Sequence, residues 1–365
     1  MSGLSRRDLL AAGLGLTAAG WLDQAVAAER SLASDATAKG LLYGCAVGSD
    51  RLAADPSFAA LVAAQAGILV PEWELKRDMV QHDEGRWNFG GGEALYAFAA
   101  THGMKLRGHT LVWYYGTPPW LEQKLQSAPS ENLLTDMITR SCQHFRGRMH
   151  SWDVLNEAVE PPEGHPNGLR IKSPWYQAFG EGYMATSFHA ARAADPNALL
   201  FYGDYDIEMD SRAQEKRRTA VLKILELLKK QNAPIDAFGV QGHLKPYKAR
   251  FDEEIYARFL RDVAGFGLKI MVTEFDVADK GGPDDVAQRD ADVAAITRSF
   301  MDVSLANPAM LGVLTWGLSD RYSWLSNYPD YKWPDGQLSR GLPFDGDLKP
   351  KPMRQAMAQA FAFKA

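Results

Sequence analysis

Two glutamates each close an apolar, strand-like run: Met149-His-Ser-Trp-Asp-Val-Leu-Asn-Glu157 and Leu268-Lys-Ile-Met-Val-Thr-Glu274-Phe-Asp276. A strand ending in a carboxylate delivers that group to one edge of a sheet. Two such strands, far apart in sequence, can bring their carboxylates face to face. A facing pair is the minimal equipment for cleaving a glycosidic bond, one group as acid and the other as nucleophile or base. Two unrelated charges at strand ends are the competing reading of any such pair taken alone. The neighbours of these two weigh against it.

The elements that would position the pair are legible as apolar runs. Strand candidates are Leu41–Val47, Gly67–Glu72, Lys105–Trp113, His150–Glu157, Ala198–Asp204, Ala237–Gly242, Lys269–Glu274 and Leu311–Trp316. Their hydrophobicity is continuous rather than alternating, as expected for parallel strands covered on both faces. Between them, helical spacing runs over Ala94–His102, Leu133–Arg148, Tyr176–Ala194, Arg212–Gln231, Asp252–Phe266 and Val286–Ala306, with a last helix over Pro352–Phe363. About eight β–α repeats with no linker-like stretch predict an α/β fold of one kind, a single (β/α)8 TIM barrel. A doubly wound open sheet is the alternative, but it needs a Gly-rich phosphate loop after its first strand. Gly13-Leu-Gly15 lies in the leader and Gly90-Gly-Gly92 follows no strand, so neither serves.

The chain of 365 residues, 46% hydrophobic and 23% charged, has ordinary globular composition and ample length for such a barrel. A net charge of −5 gives no electrostatic reason to expect nucleic acid as a partner. Ser5-Arg6-Arg7-Asp8-Leu9-Leu10, the Gly/Ala-rich run from Ala11 to Trp21 and the small residues Ala25-Val26-Ala27 have the form of a signal peptide, with paired arginines of the twin-arginine type. The expected division is therefore 1–28 as signal peptide and 29–365 as the catalytic barrel. Export by the twin-arginine machinery to the bacterial periplasm or medium follows, with no membrane attachment after cleavage. Cys45 and Cys142 fit no metal pattern and are read as buried free thiols. No metal and no cofactor is expected.

In a barrel of this kind the active site lies at the C-terminal edge of the strands. Strand two ends in Glu72 with Lys76 beyond; strand three in His109 and Trp113; strand four in Asn156-Glu157. Strand five runs into Asp204-Tyr205-Asp206, where the two aspartates are either rim groups or caps of the following helix. Strand six gives Gln241-Gly-His243, strand seven Glu274 and Asp276, and strand eight Trp316, followed by a loop carrying Trp324. Amides, carboxylates and indole faces together suit a neutral, hydroxyl-rich ligand. Trp152 and Asp153 are read as structural.

In this order and at these strand ends, Gly-His109-Thr-Leu-Val-Trp113, Trp152-Asp-Val-Leu-Asn156-Glu157, Gln241-Gly-His243, Thr-Glu274-Phe-Asp276 and Trp316-Gly-Leu-Ser-Asp-Arg-Tyr-Ser-Trp324 resemble the glycoside hydrolase family 10 endo-β-1,4-xylanases over most of the mature chain. The resemblance implies a retaining enzyme acting on internal bonds of a polysaccharide, xylan or a related β-glycan. Glu157 would be the acid/base and Glu274 the nucleophile, supported by His243 and Asp276. Asn156 would bond the sugar 2-hydroxyl. His109, Lys76 and Gln241 would bond the sugar before the cleaved bond, with Trp316 and Trp324 as its walls and Glu72 and Trp113 beside it.

Departures from the family pattern cluster on the glycone side. Where the family commonly has Glu-Asn-x-Met-Lys-Trp, this chain has Glu72-Trp73-Glu74-Leu75-Lys76-Arg77. The usual His-Ser-Gln after strand three is Tyr114-Tyr115-Gly116, and Asn-Asp-Tyr-Asn after strand five is Gly203-Asp204-Tyr205-Asp206. The expectation is intact cleavage chemistry with an altered glycone subsite, admitting a short, decorated or different β-glycan. Two readings from other classes stand beside it: a carbohydrate-binding protein on the same scaffold, and a metal-dependent barrel hydrolase built on His109, His243 and Asp276.

Overall fold

Eight short parallel strands carry the fold, a computed structural model that describes residues 30–363. They are β1 (Leu42–Val47), β2 (Ile68–Pro71), β3 (Lys105–Gly108), β4 (Ser151–Asn156), β5 (Leu199–Asp204), β6 (Ala237–Val240), β7 (Lys269–Val277) and β8 (Met310–Thr315). Each pairs in parallel with the next. The ring closes where β1 meets β8, from Leu42 opposite Gly312 to Cys45 opposite Thr315. The sheet is thus the (β/α)8 barrel that the apolar runs predict. The proposed leader, residues 1–28, lies outside the described residues. From Leu32 onward the described chain forms one compact unit, and no described helix is long and apolar enough to cross a membrane.

The continuous hydrophobicity of the strands follows from burial on both faces. β2, β4 and β6 are buried at every position. Inside the ring, Ala46, Ile68, Val70, Phe201, Ala237, Met271 and Leu314 meet in one small cluster, residues drawn from β1, β2, β5, β6, β7 and β8. The larger cluster fills the layer between sheet and helices and contains both Cys45 and Cys142, free and buried as expected. Burial pushes both thiols well above their ordinary range, so they stay protonated and unreactive.

Some boundaries depart from expectation, each for a local reason. The ladder of β3 stops at Gly108, where an added Cβ would lie 2.1 Å from the Trp152 ring. The chain from His109 to Trp113 then continues irregularly beside β4, with Leu111 and Val112 donating to the Asp153 and Val154 carbonyls at 2.9 and 3.1 Å. β7 runs on to Val277 because a two-residue ladder, His243–Leu244, pairs with Asp276 and Val277. The helix expected over Tyr176–Ala194 is two helices, Pro174–Phe179 and Gly182–Ala194, divided at Gly180 with φ +60°. Gly90–Gly92 forms the first turn of the helix Gly90–Thr101 rather than preceding it. A Cβ on Gly92 would stand 2.6 Å from Leu75 and 2.9 Å from Phe145, so glycine serves close packing there. Short helices at Leu32–Thr37, Ser49–Ala54, Pro56–Gln65, Arg77–Val80 and Pro119–Ser127 lack the length over which periodicity declares itself.

Candidate active site

Both glutamates end where the strand pattern puts them, at the same rim, and Gln241 ties them together. Its carbonyl accepts from the Glu274 amide at 2.9 Å, while its side-chain Nε2 donates to Glu157 Oε1 at 2.9 Å. The other Glu157 oxygen accepts from Trp113 Nε1 at 2.8 Å. Glu157 itself has φ +57°, the left-handed region, one residue past β4. Its backbone is clamped there: the amide donates to Gly203 O at 2.9 Å, and Arg170 Nε donates to its carbonyl at 2.8 Å. Asn156, buried at the end of β4, donates weakly to Glu157 Oε1 at 3.4 Å. Its buried Oδ1 has no partner in the protein and stands ready to accept from a hydroxyl.

Glu274 is surrounded by positive charge instead. His243 Nε2 lies 3.4 Å from its Oε2, and His109 Nδ1 lies 4.0 Å from its Oε1. His243 is fixed from behind, with Nδ1 2.9 Å from Asp276 Oδ1. Asp276 in turn accepts from Trp324 Nε1 at 2.6 Å. Behind His109, Asp153 accepts from Nδ1 at 3.0 Å and also pairs with the wholly buried Arg107.

These surroundings drive the two carboxyls apart in proton affinity. Burial raises Glu157 above the usual carboxylate range, and the nearby Glu274 charge adds to it, against the hydrogen bonds from Gln241 and Trp113. Burial works on Glu274 as well, but the His243 hydrogen bond and the charges of His109, His243 and Lys76 outweigh it and hold that carboxyl below its usual range. His243 is pushed up to about 10: its burial disfavours the cation, yet Asp276 and Glu274 prevail, and it is imidazolium at neutral pH. The rim therefore offers one carboxyl biased to keep its proton and one biased to stay charged, which is the division that acid and nucleophile require.

The remaining expected residues gather around the same point. Lys76 is buried, with Nζ 4.0, 4.7 and 5.6 Å from the ring centres of Trp73, Trp113 and Trp316. Its burial favours the neutral form and lowers its proton affinity, against the pull of Glu274, Glu157 and Glu72. Trp316 meets His109 edge-on at 5.2 Å, and Trp324 meets His243 edge-on at 5.3 Å. Glu72 is committed through Oε1 to Arg51 at 2.6 Å, and burial raises it to about 7. Tyr114 lies under the Arg170 guanidinium at 3.8 Å, and Tyr115 is largely exposed.

Three points correct or extend the sequence reading. Asp204 and Asp206 cap no helix: Ser211 caps Arg212–Lys230, while Asp204 pairs with Arg217 at 3.1 Å and Asp206 with Lys245 at 2.6 Å. Among the described residues no group of three or more His, Cys, Asp or Glu is placed to hold a metal ion, the trio of His109, His243 and Asp276 included. The supporting residues Arg107, Arg51 and Arg170 are not among those the sequence singles out. Arg107 had a signal, a cation inside a strand covered on both faces, which demands a buried partner. Arg51 and Arg170 lie in loops and helices with no such mark.

Comparison with known proteins decides the family. The model of Glycosyl hydrolase family 10 matches residues 31–360. The chain belongs to that family. As a family 10 member it is a glycoside hydrolase. It is 31% identical over 352 residues to endo-1,4-beta-xylanase 5 of Pyricularia oryzae, covering 92% of this chain and 79% of that one. To endo-1,4-beta-xylanase B of Thermotoga neapolitana it is 33% identical over 288 residues, 78% of each. Among solved structures it resembles native xylanase 10B from Thermotoga maritima, with TM-score 0.79 and 30% identity over 91% of this chain and 98% of that chain. Xylanase 10B from Thermotoga petrophila, solved in complex with xylobiose, superposes with TM-score 0.79 and 29% identity over 91% and 97%.

Proposed function

We propose that this family 10 hydrolase is a retaining endo-β-1,4-xylanase, with Glu274 as nucleophile and Glu157 as acid/base. The observation that carries the roles is the opposite bias of the two carboxyls, imposed by His243, His109 and Lys76 on one and by burial on the other. The substrate rests on the relatives, named endo-1,4-beta-xylanases, and on the xylobiose complex of a similar structure. A binding protein has no use for such a pair, and the elaborate support behind each carboxyl speaks for catalysis.

In the first step the Glu274 carboxylate attacks the anomeric carbon as the glycosidic C–O bond breaks, and the Glu157 proton passes to the departing oxygen. A covalent glycosyl ester results, with inverted configuration. Glu274 now carries no charge, so Glu157 holds its ionised form easily. Glu157 takes a proton from water, the hydroxyl attacks the same carbon from the opposite face, and Glu274 leaves as carboxylate. Two inversions restore the β configuration. With His109 Nδ1 committed to Asp153, its Nε2 is left for a sugar hydroxyl. Asn156 Oδ1 is open to the 2-hydroxyl, a contact that strengthens in the transition state.

Product analysis on β-1,4-xylan is the direct test. The expected outcome is a ladder of short xylo-oligosaccharides whose freshly formed reducing ends are β by NMR. Release from another β-glycan but not from xylan would reassign the substrate, and α-configured first products would overturn the retaining mechanism.

We further infer that residues 1–28 direct twin-arginine export, so that the enzyme meets its polymer in the periplasm or medium. The support is the Arg6-Arg7 pair ahead of a mild apolar run and a small-residue cleavage site. Fused to a folded reporter, this segment should place it outside the cytoplasm, and the Arg6→Lys/Arg7→Lys change should retain it inside. Undiminished export of the double-lysine form would rule out the twin-arginine route.

A further inference from the structure

The left-handed backbone of Glu157, with φ +57°, is a conformation that a side chain disfavours, so it persists only where the surroundings impose it. Arg170 does much of the imposing. This buried side chain, just ahead of the helix Pro174–Phe179, donates from Nε to the Glu157 carbonyl at 2.8 Å and from Nη2 to the Val159 carbonyl at 3.3 Å. The carbonyls on either side of Ala158 are thereby tied to one planar cation.

Arg170 is itself held from several sides. Its Nη2 meets Tyr205 Oη and Glu160 Oε2, each at 3.0 Å, and the Tyr114 ring covers its guanidinium at 3.8 Å. Arg217 completes the frame, donating to Glu160, to the Val159 carbonyl and to Asp204, each at 3.1 Å, over the Tyr205 ring. The Arg170 hydrogen bonds thus go to backbone and to these supports, while Gln241 and Trp113 hold the Glu157 carboxyl. Glu274 shares none of the frame, since His243 and His109 attend it.

Resting on the reading of Glu157 as acid/base, we propose that Arg170 is a positioning residue for proton transfer: by holding the Glu157 and Val159 carbonyls it fixes the backbone that aims the Glu157 carboxyl at the departing oxygen. Tyr114, Tyr205, Glu160 and Arg217 keep the guanidinium in place for that task. Without it the turn is free to relax toward an ordinary φ, which rotates the Cα–Cβ bond and draws the carboxyl away from Gln241 and Trp113. A general acid works only within hydrogen-bond reach of the atom it protonates, and a misplacement of about 1 Å can cost on the order of a hundredfold. The loss should fall on protonation alone, because the nucleophile is held by other residues.

The test measures kcat/KM, which reports the first step, on xylan and on a dinitrophenyl β-xylobioside whose leaving group departs unprotonated. Should another β-glycan prove to be the substrate, the same pair of measurements is made on it and on its dinitrophenyl glycoside. Arg170→Ala should lose roughly 10- to 100-fold on the polysaccharide and less than about twofold on the activated glycoside. Arg170→Lys keeps a donor for the Glu157 carbonyl but cannot also span Tyr205 and Glu160. It should recover most of the activity, losing about threefold on the polysaccharide alone, and it decides the matter if the alanine form does not fold. Equal losses on both substrates, or no loss on the polysaccharide, overturn the proposal and leave Arg170 a purely structural residue. Glu157→Ala is measured beside them. If that variant also loses equally on both substrates, the acid/base reading has failed and the proposal falls with it; if it spares the activated glycoside while the Arg170 variants do not, only the proposal fails.

Discussion

Glu274→Ala should lose xylan hydrolysis by roughly 10⁴-fold or more, because removing the group that forms the covalent bond removes the reaction path itself. The fold should survive the change. Glu274 holds no structural ion pair except with the two histidines of the site, and removing its charge leaves His243 still bound to Asp276. Thermal melting should therefore change little while turnover disappears. The diagnostic experiment adds azide. In the space left by the carboxylate, azide can attack the anomeric carbon once, displacing the leaving group and giving an α-glycosyl azide from a β substrate. That product identifies the missing group as the nucleophile. A variant that keeps more than a few per cent of wild-type activity on xylan would remove Glu274 from the role.

Glu157→Ala should cost about 10²- to 10⁴-fold on xylan, the usual worth of a positioned proton donor. The loss in bond cleavage should shrink sharply for an aryl glycoside whose phenolate leaves unprotonated. Turnover of that substrate should then stall at the glycosyl-enzyme, since no base is left to activate water, and azide should restart it with a β-glycosyl product. The pH profile carries the same assignment. On the proposed roles, wild-type activity needs Glu274 ionised and Glu157 protonated. Glu274 is held below the usual carboxylate range, so the acid limb should fall only at low pH. Glu157 is raised, so the alkaline limb should begin above that range. Glu157→Ala should erase the alkaline limb and keep the acid one. Persistence of both limbs would show that another group governs the upper one, and equal losses on xylan and on the activated glycoside would exclude Glu157 as the acid.

Much of this site could be found before any coordinate. Strand termini recur once per β–α unit, so a residue at the end of an apolar run has a known address at the rim. Glu157, Glu274, His109, Gln241, His243 and Trp316 were located in this way. The boundaries that moved did so where neighbours intervene: Gly108 against the Trp152 ring, Gly92 against Leu75 and Phe145, and β7 lengthened by the His243–Leu244 ladder. Asp204 and Asp206 illustrate the limit from another side. Their sequence positions suit a cap, but Arg217 and Lys245, charges on later segments, pair with them first.

By itself, then, the sequence determined the barrel, the rim and the two carboxylates, because hydrophobic period and strand order are local properties written along the chain. The sequence divides the two roles only through a resemblance; the physical bias that would divide them, Glu157 raised and Glu274 lowered in proton affinity, appears only in the tertiary structure. That depends on His243 backed by Asp276, on His109 backed by Asp153 and Arg107, and on a lysine enclosed by three indoles, all groups brought from distant segments. A carboxyl's proton affinity is set by burial and by charges a few ångströms away, and neither is visible until the chain has closed on itself.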